Sequence, residues 1–218
     1  MRTHDLTYDR VVNAIGARLA DDGFTSPADN AIFIKPIHGP WQAWIAIAGK
    51  FCWLEPAVGI MNEELKEIYY QANTNMGKTP ERHPDTPPLL RIELERLAAH
   101  CPACSTEAPW RYQGKTLTPD VADDVVWCLR KYGYPFFEKY ASLQALVEGW
   151  KERLTSFAFP LFAPIVLIKL GRTNDARVFV ENYTRRFPDD ELGSEKRKYF
   201  KTLFEMLTES DAKPSSRA

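Results

Sequence analysis

DDVVWCLRKYGYPFFEKYASLQALVEGWKER, residues 123–153, carries the densest run of apolar anchors in the chain and reads as helix, aromatic turn, helix. Val125, Val126, Leu129 and Tyr132 recur at helical spacing, with Trp127 and Cys128 on adjoining faces. Thr118-Pro119 has the form of an N-cap followed by proline at the first helical position. Asp120, Asp123 and Asp124 lie early and Arg130 and Lys131 late, as the helix dipole favours. Gly133 is the expected stop, Tyr134-Pro135-Phe136-Phe137 the expected turn, and Ser142 the cap of a second helix with Leu143, Leu146, Val147 and Trp150 inward. The aromatics are read as filling a core between helices and sheet rather than as a ligand cage.

Upstream of this stretch the pattern is that of a helix followed by strands. Thr7 to Asp22 reads as a helix on Val11, Val12, Ile15 and Leu19, stopped by Gly23. Three short strands are expected next. Ala31–Ile34 ends at Pro36, Trp41–Ala48 follows the turn His38-Gly39-Pro40, and Phe51–Ile60 follows the tight connection Gly49-Lys50. Pro56 predicts a bend or an edge position for the third strand. Short connections between consecutive strands indicate an antiparallel meander. Asn62 is the expected cap of a helix from Glu63 to Asn73. Leu89–Leu94 is read as a fourth strand in preference to a helix running on to His100. The proline-rich run 79–88 and the segment 101–118 are irregular.

Downstream the chain reads as helical. Phe159–Leu170 is almost wholly apolar, with Pro160 and Pro164 expected near its start, and Gly171 ends it. A helix from Asn174 packs through Ala176, Val178, Phe179 and Tyr183, and the pair resembles half of a tetratricopeptide-type repeat. One such unit does not make a solenoid, which needs about three repeats. A last helix, Ser194–Leu207, packs through Tyr199, Phe200, Leu203, Met206 and Leu207. The expected fold is therefore α+β, an antiparallel sheet of four to five strands packed against helices, with a C-terminal helical hairpin subdomain. The expected division is an α+β domain over 1–155, a helical subdomain over 156–210 packed on it, and a disordered tail over 211–218.

Composition narrows the function classes. The 218 residues are 44% hydrophobic and 26% charged, with net charge −1. That balance speaks against a general nucleic-acid-binding surface. No apolar run is long enough to span a bilayer, and the N-terminus lacks a signal-peptide pattern, so a cytoplasmic protein is expected. The basic run Lys196-Arg197-Lys198, near Arg185 and Arg186, reads as a solvated helix face. No phosphate-loop, dinucleotide or nucleophile-elbow motif is present. The four histidines, His4, His38, His83 and His100, show no metal-binding helical spacing. Carboxylate pairs such as Asp189 and Asp190 stand at expected helix starts, where they complement the dipole. Cys101 and Cys104 form a C-x-x-C that can grip zinc, with Cys128 and one of His83 or His100 as the sensible further ligands. A second C-x-x-C is missing, so reduced thiols and no cofactor are the preferred reading, with zinc as the alternative.

Four segments carry a resemblance: Leu19–Phe24, Trp44–Ile47, Val58-Gly59-Ile60 and Lys131–Val147. Over residues 8–150 their order resembles a loosely defined group of uncharacterised bacterial proteins, some regarded as immunity proteins of polymorphic toxin systems. The resemblance implies a non-enzymatic protein that binds a cognate protein, a toxin, without cofactor. It carries over no functional residues, and it includes neither the C-x-x-C nor the C-terminal hairpin. His38, Trp41, Trp110 and Tyr112 are the candidate partner contacts, because aromatics are enriched at interface hot spots.

Overall fold

In the computed structural model, residues 6–27, 31–50, 53–79, 88–98, 119–154, 159–188 and 190–211 are described. The fold is α+β, as expected. Four strands form one antiparallel sheet in the order β1-β2-β3-β4, and helices make up most of the rest. The chain divides into two compact units. One is drawn from residues 1–61 and 84–156, the other from 62–83 and 157–218.

The first unit begins with α1 (Leu6–Asp21), whose Val11, Ile15 and Leu19 are fully buried at four-residue spacing. Gly23 ends it with φ +85°, and the amides of Gly23 and Phe24 return to the carbonyls of Ala20 and Leu19. β1 (Ile32–His38) and β2 (Trp41–Lys50) pair from Ile32↔Ala46 to His38↔Trp41, across a turn in which Gly39 adopts φ +50°. Pro36 does not end β1. The strand runs past it with a register irregularity, which the edge position of β1 tolerates because an edge residue needs no donor on its open side. Gly49 and Lys50 belong to β2 rather than to a turn, and residues 51–52 lie outside the described residues.

β3 (Trp53–Asn62) is an interior strand, so of the bend or edge position that Pro56 suggested, the edge position does not hold. Its ladder with β4 (Leu90–Glu93) runs from Ala57↔Glu93 to Ile60↔Leu90, so Pro56 sits just outside the paired register. The preferred strand at Leu89–Leu94 is present but short. It passes directly into α3 (Leu94–Ala98), so the competing helical reading holds only from Leu94 onward.

Gly59 is set by this ladder. A Cβ there would lie 2.6 Å from the Leu90 carbonyl oxygen and 2.7 Å from Pro88. Backbone oxygen cannot swing aside as a side-chain tip can. Gly59→Ala should therefore cost about 1–3 kcal/mol, the usual range for overpacking. Urea unfolding of the variant checks this, and an unchanged midpoint would mean that β4 yields without loss.

Helices α4 (Pro119–Cys128), α5 (Tyr134–Tyr140) and α6 (Leu143–Lys151) complete the first unit. Ser142 caps α6 as expected, its Oγ accepting from the Ala145 amide at 3.1 Å. α1 packs along α4, and α6 lies on β4, where Gly149 leaves room for Leu90.

The second unit joins α2 (Glu63–Asn75) to α7 (Phe159–Lys169), α8 (Thr173–Thr184) and α9 (Glu191–Asp211). Asn62 caps α2, Oδ1 accepting from the Leu65 amide at 3.0 Å. Tyr69 of α2 packs its ring on Phe162 of α7 and Tyr199 of α9. α7 and α8 form the expected helical hairpin, with Gly171 at φ +73° between them. Pro164 lies inside α7, not near its start. Every residue from Phe162 to Ile168 is buried, so packing on all sides holds the helix despite the missing amide. Val178 is exposed rather than packed. Asp190 caps α9 by accepting from the Gly193 amide at 2.8 Å. Asp189 lies outside the described residues, as does the tail 212–218. Among the described residues no helix is long and apolar enough to cross a membrane.

Candidate interaction site

The expected turn at Tyr134–Phe137 is instead helical. α4 is followed by a π-helical segment, Leu129–Gly133, and α5 starts immediately after it. The Tyr134 amide bonds to the carbonyl of Leu129, five residues back. Proline explains the wider turn. Pro135 has no amide to give, and in a regular α-helix its ring would press on the Lys131 carbonyl four residues back. An extra residue in the preceding turn relieves the clash. Gly133 therefore does not stop the helix. It lies against β3, where a Cβ would stand 3.2 Å from Val58 Cγ1. The break comes at Ala141-Ser142.

This irregularity shapes a surface. Val125, Val126 and Leu129 are buried, which turns Trp127 outward with 51% of its surface exposed. Lys131 Nζ lies 4.4 Å from the Trp127 ring centroid and 5.3 Å from that of Tyr132. Tyr132 meets Trp127 edge to face at 6.2 Å. Lys131 and Tyr132 thus reach one indole from four and five residues on. Among the described residues Lys131 has no salt bridge, so its ammonium is held by rings alone.

Beside this patch a closed polar network anchors the same helices. Tyr134 donates to Asp22 Oδ2 at 2.5 Å, and Arg130 donates to both Asp22 oxygens at 2.8 and 3.1 Å. Arg18 donates to Asp123 at 2.5 Å, which ties α1 to α4. Lys35 Nζ stands over the rings of Phe24 and Tyr134. Burial works to raise the Asp22 pKa, but Arg130, Tyr134 and Lys35 outweigh it and hold the carboxyl below its ordinary range. Burial and the bond to Asp22 push the Tyr134 phenol well above its ordinary value. Every oxygen of Asp22 has a donor, so the cluster reads as a clasp rather than as reacting groups.

The pH dependence follows from these directions. A lowered carboxyl stabilises the fold above its ordinary pKa of 3.8, and this is lost as pH falls through the folded value. A raised phenol stabilises below its ordinary 10.0, and this is lost as pH climbs beyond it. In urea-unfolding midpoints measured against pH, Asp22→Asn should flatten the acid limb. Tyr134→Phe should flatten the alkaline limb and make the acid limb shallower. Limbs identical to wild type in both variants would remove the clasp.

The residues singled out from the sequence fall as follows. His38 is exposed at the end of β1. Trp41 pairs opposite it but is buried, at 6% exposure, so it packs rather than contacts a partner. Trp110 and Tyr112 lie outside the described residues, as do His100, Cys101 and Cys104. Cys128 is buried at the end of α4. Among the described residues no three His, Cys, Asp or Glu side chains gather where they would hold a metal ion. The exposed Trp127 was legible only as lying off the main apolar stripe. The Lys131 contact depends on the π-helical turn, which no spacing rule announces.

The chain matches no protein-family model, no curated protein and no solved structure.

Proposed function

We propose that this chain is a non-enzymatic protein-binding protein and that a cognate protein docks on Trp127, Lys131 and Tyr132. The observation that carries this is the half-exposed Trp127 held under the Lys131 ammonium. Tryptophan and tyrosine are enriched at interface hot spots. Holding Lys131 on the rings in advance reduces the ordering cost of association. An ammonium with no salt bridge among the described residues favours a partner that brings a carboxylate. π-Helical turns are frequent at functional sites, which fits the placement of this patch. The resemblance over residues 8–150 gives the concrete form of the reading: an immunity protein that neutralises a toxin. His38 is a further candidate contact, being exposed.

The test is capture of the partner from the native host by the tagged wild-type chain and by Trp127→Ala, read by mass spectrometry. One stoichiometric protein should be retained by the wild type and lost by the variant. If that protein arrests growth when expressed alone, co-expression of the chain should restore it. Equal retention by both forms would remove the Trp127 patch from the interface.

A further inference from the structure

The second unit contains a site of a different kind. A cavity of about 380 Å³ opens between α7 and α8, lined by Phe159, Pro160, Phe179, Asn182, Tyr183 and Arg186. Its volume falls within the range of small-ligand pockets. Part of the lining follows from helical spacing. Phe179 and Tyr183 are four residues apart and share one stripe of α8, Asn182 lies beside them, and Arg186 follows just past the helix end. The Phe179 and Tyr183 rings are parallel to within 9°, with centroids 6.2 Å apart. Phe159 of α7 stands edge-on to Phe179 at 5.5 Å and 84°. Three of the six lining residues are thus aromatic, a lining that suits an aromatic guest.

The polar stripe selects charge. Arg185 bridges to Glu181 at 3.8 Å, whereas the Arg186 guanidinium has no salt bridge among the described residues. A second cation, Lys196, lies with its Nζ 5.5 Å from the Tyr183 ring centroid and donates to its hydroxyl at 3.4 Å. Glu181 is engaged by Arg185. α8 ends at Thr184, so its C-terminal carbonyls lie close by and disfavour a dianion. A single carboxylate matches the planar Arg186 fork without concentrating that repulsion. We infer that this groove binds a small planar aromatic carboxylate, its ring against Phe179 and Tyr183 and its carboxylate on Arg186, with Asn182 donating beside it.

The experiment uses the full chain and 2-naphthoate, titrated by calorimetry and by ligand-observed NMR. Saturable binding of one equivalent is expected, with markedly weaker binding of 2-naphthalenemethanol, which lacks the charge, and of cyclohexanecarboxylate, which lacks the ring. Arg186→Met should weaken 2-naphthoate about tenfold or more, as for loss of a charged hydrogen bond. Arg186 is exposed, so this variant keeps the fold. Phe179→Leu should weaken 2-naphthoate more than cyclohexanecarboxylate. Absence of saturable binding at millimolar 2-naphthoate would overturn the inference, as would an affinity that Arg186→Met leaves unchanged. Trp127→Ala should bind 2-naphthoate as the wild type does, which separates this site from the docking patch.

Discussion

Phe162→Ala should destabilise the second unit by about 3–5 kcal/mol, the cost of emptying a fully buried aromatic position. Phe162 is among the largest side chains with essentially no exposure, and its ring packs 5.4 Å from that of Tyr69. The helix carrying it has little freedom to close the void. Pro164 fixes the backbone two residues on, and the whole run from Phe162 to Ile168 is buried. Partial collapse is what makes some truncations cheap, and here it is blocked. The readout is amide hydrogen exchange of α2, α7, α8 and α9. All six tryptophans lie in the sequence ranges of the first unit, so their fluorescence follows that unit instead. Leu192→Ala is the control. Leu192 is 54% exposed, and its loss should stay within about 0.5 kcal/mol. A cost below about 1 kcal/mol for Phe162→Ala would mean that the ring is not packed as described.

The second large effect is on binding. With the purified partner, Trp127→Ala should cost about 2–4 kcal/mol, roughly 30- to 1000-fold in Kd. The indole supplies both the covered area and the surface on which Lys131 rests. Its removal releases the ammonium and withdraws the anchor together. Trp127→Phe keeps a ring under Lys131 and should lose less. Lys131→Met keeps the apolar stem and removes the charge, so it should slow association mainly, and more at low salt than at high salt. Circular dichroism of all three should match the wild type, because Trp127 is half exposed and outside the core. Unchanged Kd in Trp127→Ala would move the interface elsewhere.

Local chemistry accounts for what the sequence reveals. Asn62 and Ser142 cap their helices through amides three residues away, and Gly23 and Gly171 adopt the left-handed backbone that ends a helix. Each is decided within one turn of chain, so spacing alone exposes it. The prolines mislead for the opposite reason. Pro56 lies in an interior strand because β4 happens to start pairing at Ala57, and Pro164 lies in a helix because burial on every side holds it. Both depend on residues far along the chain. Pro135 gives a hint of the π-helical turn, but a turn and a widened helix satisfy it equally until the register of α4 and α5 is known. Trp41 shows the same limit at the candidate site. A tryptophan beginning a strand is a hot spot or a core residue according to which face of the sheet is covered, and the strand itself does not say.

The division of the second unit into two separate stretches of chain has a consequence during synthesis. α2 leaves the ribosome early, carrying Leu65, Tyr69 and Tyr70, while Phe162 and Tyr199 are still untranslated. About 80 residues separate α2 from α7, so at roughly 5–20 residues per second the helix waits several seconds for the partners that bury it. Throughout that interval it is a nascent amphipathic segment open to chaperones, and the rate of translation across residues 76–158 sets how long it remains so.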